Sequence, residues 1–139
     1  MIFVDTWAWL ALAHRRDPYH PLAARTHQAL RRQRRRYVTT DYVLAETMSP
    51  LFSILNFAQA EQYVLSLFQA IRLGRYQLER ITPARFDRAW DMRRKYHDKP
   101  DISFVDFTSM VVMQDLGITE VFTGDDHFRQ VNLGFQIVP

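Results

Sequence analysis

The sequence has no cysteine, only 4 glycines, and lysine at two positions, Lys95 and Lys99. Without cysteine there are no disulfides, no thiol nucleophile and no cysteine-ligated zinc. That fits a reducing compartment without demanding one. The N-terminus lacks a basic leader, and the apolar stretch Trp7-Ala-Trp-Leu-Ala-Leu-Ala13 is too short to span a bilayer, which takes about 20 residues. The expectation is a soluble cytoplasmic protein with no membrane partner. With 139 residues and 47% hydrophobic composition, the chain reads as a single domain over 1–139, able to bury about two-thirds of its unfolded surface. The scarcity of lysine leaves arginine as nearly all of the basic charge, at net charge +3 and pI near 9.5. Guanidinium forks pair with phosphate and stack on bases, so the bias points mildly to nucleic acid; a solvated helix face is the plainer reading.

Element types alternate along the chain. Ile2–Val4 reads as a buried strand and Thr6–His14 as a helix starting directly after it. Pro21–Arg34 has helical spacing, Tyr37–Thr40 is a short β-branched run, and a helix capped by Asp41 runs through Thr47 until Pro50 kinks or ends it. Phe57, Ala60, Val64, Leu67, Phe68 and Ile71 form a helical stripe closed by Gly74, which reads as core or subunit interface. Leu78–Ile81 is a candidate third strand, and Thr82-Pro83 opens a helix that runs to about His97. A nearly all-apolar helix, Ser103–Leu116, ends at Gly117, and Glu120–Thr123 and Phe135–Val138 are the last strands. Strands separated by helical segments predict βαβ units and one three-layer α/β/α domain with a parallel sheet.

Four carboxylates fall where that architecture would converge them. Asp5 ends the first strand, at the edge of an open α/β sheet where ligands bind. Glu46 lies about one and a half turns into the helix after the second strand. Asp106 lies in the first turn of the apolar helix, and Asp125 follows the fourth strand. Taken singly, Asp106 could simply favour the helix dipole and Asp125 could cap the turn after it. Glu46 and Asp106, however, sit among apolar neighbours, where carboxylates are seldom buried unless paired or metal-bound. At about 4 Å a carboxylate pair costs roughly 4 kcal/mol at an effective dielectric of 20, so a cluster needs a cation. Oxygen donors with no histidine or cysteine partner favour Mg²⁺ or Mn²⁺ over zinc. Such ions serve in-line phosphodiester displacement.

In order along the chain these residues resemble the PIN domain, a family of metal-dependent nucleases that includes the VapC toxins. Val4-Asp5-Thr6 is similar to the family's strand-ending acid followed by Ser or Thr, and Asp17-Pro-Tyr-His20 with Ala24 to its second-helix start. Thr40-Asp-Tyr-Val-Leu-Ala-Glu46-Thr resembles the segment carrying the family's Glu, and Ser103-Phe-Val-Asp106 the segment with its third acid. Thr123-Gly-Asp125-Asp-His-Phe128 resembles the late T-x-D-x-x-F motif. The resemblance implies a central parallel sheet of about five strands flanked by helices. It also implies Asp5, Glu46 and Asp106 as core metal ligands, with Asp125 completing the site and Thr6 and Thr123 supporting them. Asp125 is chosen over Asp126 from its spacing to Thr123 and Phe128. The implied activity is Mg²⁺- or Mn²⁺-dependent hydrolysis of RNA by a homodimeric endoribonuclease, inhibited by a small VapB-like antitoxin. The alternatives are a PIN-like module that only binds RNA or protein, and a standalone PIN nuclease in RNA processing.

Other chemistries fit less well. A haloacid-dehalogenase-type phosphatase needs a second Asp two residues after its nucleophile, where this chain has Trp7; a receiver domain needs a late lysine. The five histidines show no H-x-x-x-H spacing and read as surface or packing residues, with only His127 near a proposed acid. Trp7 and Trp9 read as packing for the first helix. Of the two basic clusters, Arg93, Arg94 and Lys95 lie close to the loop before Asp106 and are the candidate RNA contacts. Arg31–Arg36 precede the second strand, at the end opposite the site.

Overall fold

Five short strands, β1 (Ile2–Val4), β2 (Tyr37–Thr40), β3 (Tyr76–Glu79), β4 (Glu120–Phe122) and β5 (Gln136–Val138), make one sheet in the order β3-β2-β1-β4-β5, every pair parallel. The computed structural model describes residues 1–139. Seven helices connect and cover the strands: α1 (Thr6–Ala13), α2 (His20–Arg32), α3 (Asp41–Ile54), α4 (Phe57–Arg72), α5 (Pro83–Lys95), α6 (Phe104–Leu116) and α7 (His127–Gln130). The α/β architecture with a central parallel sheet is the one the sequence predicts.

The middle of the sheet is continuous apolar sequence because both faces are covered. Ile2, Phe3, Val4, Val121 and Phe122 are fully buried, and Phe107 to Met113 of α6 are buried all round. Strand order reverses at β1, whose neighbours are β2 on one side and β4 on the other. That makes the carboxyl ends of β1 and β4 the topological switch point, the crevice where open α/β folds bind ligands.

Three boundaries differ from the sequence reading. Thr40, not Asp41, caps α3, accepting from the Val43 amide at 3.0 Å. The helix also continues through Pro50 to Ile54. The ring forfeits one ladder bond, but Leu51, 1% exposed, anchors the following turn in the core. The third strand begins at Tyr76 rather than Leu78 because Gly74, at φ 73°, ends α4 and Tyr76 stacks on Tyr37 at 5.2 Å in the β2–β3 register. The apolar stripe of α4 is only half covered: Ala60 and Leu67 are buried, whereas Phe57 and Phe68 are exposed.

Candidate metal centre

Asp5 occupies the N-cap position of α1 yet makes no side-chain capping bond, although Asp is among the best N-cap residues. The amide of Asp5 pairs with Phe122 O at 3.2 Å, which fixes it at the switch point. Its Oδ2 accepts from the Thr123 hydroxyl at 3.0 Å, and its Oδ1 is buried with no hydrogen-bond partner. The Thr123 hydroxyl in turn accepts from the Asp125 amide at 3.1 Å. One hydroxyl thus ties the end of β1 to the loop after β4.

Asp106 and Ser103 form a reciprocal capping box at the start of α6, with bonds of 3.1 and 3.2 Å. The plain reading of Asp106 as a helix-start residue is therefore correct, and the box also holds its carboxylate rigid. The plain reading of Asp125 holds in the same way: its Oδ1 accepts from the His127 amide at 3.0 Å at the start of α7. Both capped carboxylates nevertheless face one another, because His127 Nδ1 lies 2.9 Å from Asp106 Oδ2 and 3.1 Å from Asp125 Oδ2. The one ring nitrogen thus bridges the two carboxylates, donating to them when it carries the proton.

Donor atoms of Asp106, Asp125 and His127 all lie within 4.8 Å of one another. This corrects the surface-or-packing reading for His127 alone, the one histidine expected near a proposed acid. His127 joins the acids, with its Nδ1 against two of the carboxylates. The signal in the sequence was its place two residues after Asp125 at a helix start, where one turn folds the ring back over the acid. Asp5 and Glu46 stand outside this tight group but within electrostatic reach of it. Asp126 points away to Arg129 at 3.2 Å, and Asp101 is exposed.

Burial drives the electrostatics. The Asp5 carboxyl is pushed up to about 7, first by burial and then by Asp106, with the Thr123 hydroxyl and the Thr6 amide moderating the rise. Glu46 is raised by burial, with Asp106 and Asp125 adding repulsion. The Thr6 hydroxyl offsets part of that rise without a hydrogen bond of ordinary geometry. Asp106 is raised by burial; the His127 bond lowers it again and Asp125 adds repulsion. Repulsion thus links Asp5 to Asp106 and Glu46, and links these two to Asp125.

A divalent cation fits this site on the structure's own terms. The orphaned Oδ1 of Asp5 is an acceptor with nothing to accept, in a place where burial already penalises its charge. Carboxylate oxygens dominate the donor set and suit Mg²⁺ or Mn²⁺ even with one imidazole nearby.

Of the candidate RNA contacts, Arg93 departs from expectation. Its guanidinium donates to the carbonyls of Ile102, Tyr96 and Lys99 at 2.6 to 2.8 Å and lies over the Phe107 ring, bracing the loop into α6. Arg94 and Lys95 are exposed.

A model of the PIN domain matches residues 2–133. The chain belongs to the PIN domain family. It is 33% identical over 129 residues, 92% of each chain, to the 23S rRNA-specific endonuclease VapC20 of Mycobacterium tuberculosis, in both strains H37Rv and CDC 1551. The crystal structure of the M. tuberculosis VapC20, described as a sarcin-ricin loop cleaving toxin, superposes with a TM-score of 0.80 at 31% identity, covering 98% of this chain and 97% of that one. Within this PIN domain the acids come from β1, α3, α6 and the turn before α7, which are the segments the sequence motifs mark. None of its helices is long and apolar enough to cross a membrane.

Proposed function

We propose that this chain is a VapC-type toxin endoribonuclease, a single PIN domain over 1–139 that hydrolyses RNA phosphodiester bonds with Mg²⁺ or Mn²⁺. The observation that carries this reading is the buried, unpartnered Oδ1 of Asp5 beside acids that repel it. A protein that only bound RNA would be destabilised by these acids and would draw no chemistry from them. Likeness to an rRNA-cleaving VapC over nearly the full length of both chains supports the same reading.

In this reading Asp5, Glu46, Asp106 and Asp125 hold the cation. When bound, it supplies Lewis acidity, lowering the pKa of water and offsetting charge on the leaving oxygen. The chain's own residues do the rest. Thr123 orients Asp5 and the Asp125 loop, and Thr6 stands behind Glu46. The Ser103 capping box fixes the Asp106 carboxylate. His127 Nδ1 bridges Asp106 and Asp125 and offsets part of the rise that burial imposes on Asp106. Arg94 and Lys95 are the nearest free cations of the α5 end for flanking phosphates.

The VapC reading also carries a small VapB-like antitoxin, a homodimer and a cytoplasmic location. The half-exposed apolar stripe of α4 suits a partner helix. The test is cleavage of a structured RNA by the purified protein with Mn²⁺ and with excess EDTA. Cleavage only in the metal arm supports the proposal; binding without cleavage in both arms leaves the non-catalytic module as the answer.

A further inference from the structure

A large cleft lies at the end of the sheet opposite the acids. It has a volume of ≈ 970 Å³ and opens between α2 and α4, over the starts of β2 and β3. Six arginines line it, Arg15, Arg31, Arg34, Arg35, Arg36 and Arg75, and no carboxylate does. A second cleft shares Arg15, Tyr63 and Ser66 with it, adds Arg16, and is also free of acids. The two form one groove along α4.

These charges are unbalanced. Arg35 is paired with Glu120, but Arg15, Arg31, Arg34, Arg36 and Arg75 make no ion pair. The C-terminal ends of α1, α2 and α4 point to this region and supply about −0.5 charge each. That offsets fewer than half of the five free guanidinium groups. Focused positive potential of this kind attracts polyanions.

Arg34 is also in the wrong place for an arginine. It ends α2 at φ 54°, with its amide bonded to Arg31 O and the Arg35 amide bonded to Leu30 O, both at 3.0 Å. Helix α4 ends in the same way, with bonds from Gly74 to Ile71 and from Arg75 to Ala70, but there the left-handed position is glycine, at φ 73°. Glycine is the natural residue for this cap, and arginine there is strained. At one of two equivalent helix ends, the chain keeps an arginine where the backbone favours glycine, and only the helix dipole offsets part of that strain.

Helix α1 connects the two sites. It begins at Asp5 and ends at the mouth of the groove beside Arg15 and Arg16; its eight residues span about 12 Å. A folded RNA is wide enough to meet both ends at once. Arginine in place of lysine, in a cleft with no carboxylate, suits the bidentate recognition of phosphate.

We propose that this groove is a second phosphate-binding site that grips the RNA away from the scissile bond, so the substrate is held at both ends of α1. The inference rests on the ribonuclease reading above. Its test uses an Asp5→Asn background, so that RNA is bound but not cut, with anisotropy titrations of a structured RNA hairpin across a salt series. Combined substitution Arg31→Ala/Arg34→Gly/Arg36→Ala should weaken binding and flatten log K against log salt by roughly 0.7 to 0.9 per lost contact. Arg25→Ala/Arg32→Ala, exposed cations of α2 outside the groove, should leave both unchanged. Arg34→Gly alone should raise Tm while weakening binding, which a folding defect cannot mimic. Unchanged affinity and slope in the groove variants, with the parent still binding, overturn the groove and leave the nuclease reading standing. A parent that neither binds RNA nor, with Asp5 restored, cleaves it overturns both. Tighter binding of poly-glutamate than of the RNA at equal charge concentration, lost in the groove variants, assigns the groove to an acidic protein partner instead.

Discussion

The Thr123 hydroxyl donates to Asp5 Oδ2 at 3.0 Å while accepting from the Asp125 amide at 3.1 Å, so one buried side chain sets the relative position of two acids 120 residues apart in the sequence. Thr123→Val keeps the shape and removes both bonds. Such orienting partners typically contribute 10- to 100-fold to metal affinity. We expect Mn²⁺ binding, measured by calorimetry, to weaken by about that factor. Wild-type affinity in Thr123→Val would show that Asp5 needs no such support.

Asp5 has a consequence for stability against pH. Its folded pKa, about 7, lies above the ordinary value of 3.8, so burial opposes its ionisation. The unfolded chain releases this proton more readily, so metal-free stability falls as pH rises from about 4 and levels off above about 7. That difference corresponds to roughly 4 kcal/mol at most, with raised Glu46 and Asp106 acting in the same direction. Urea unfolding in EDTA should give a lower midpoint at pH 8 than at pH 5.5. Added Mn²⁺ should remove most of the difference at pH 8.

His127 pulls the Asp106 carboxyl back down against burial. Without that donor, in His127→Phe, Asp106 rises further and stays protonated to higher pH. Metal binding should then require a higher pH, seen as an upward displacement of the Mn²⁺ affinity curve. An unmoved curve would mean that the ring only packs against the acids.

Gly124 is fixed by its neighbour rather than by its backbone. A Cβ there would lie 2.4 Å from two carbons of the Trp7 ring, so any side chain displaces either the ring or the Thr123–Asp125 turn. Overpacking of this kind costs about 1 to 3 kcal/mol. Gly124→Ala should be destabilised by that amount, and Trp7→Leu should relieve it. The coupling between the two should appear as non-additive Tm shifts in a double-mutant cycle.

How much of this was legible depends on the kind of signal. Asp5, Asp106 and Asp125 were visible because each stands at an element boundary with strong local chemistry: a strand end, a helix first turn, a T-x-D turn. The helix does not end at Pro50, one of the two outcomes expected there, because tertiary burial of Leu51 outweighs a local breaker. The third strand was displaced because its register is set by the Tyr37–Tyr76 stack, a contact between residues far apart in the chain. His127 needed a folded turn before its ring met Asp106, which spacing rules for histidine pairs do not describe. Arg93 read as a free cation because its three carbonyl partners lie in a loop without periodicity. The arginine groove was visible as a charge run, but its cleft and lack of acids are tertiary facts.

Asp5→Asn tests the central claim most directly, because activity and stability should move in opposite directions. The neutral side chain relieves burial and repulsion, so the metal-free variant should melt at a higher temperature than wild type at pH 8. Single-turnover cleavage of structured RNA with Mn²⁺ should be abolished in the same preparation. Full cleavage by Asp5→Asn, or a lower melting temperature in EDTA, would contradict the assignment of Asp5 as the anchor of a metal-binding acid cluster.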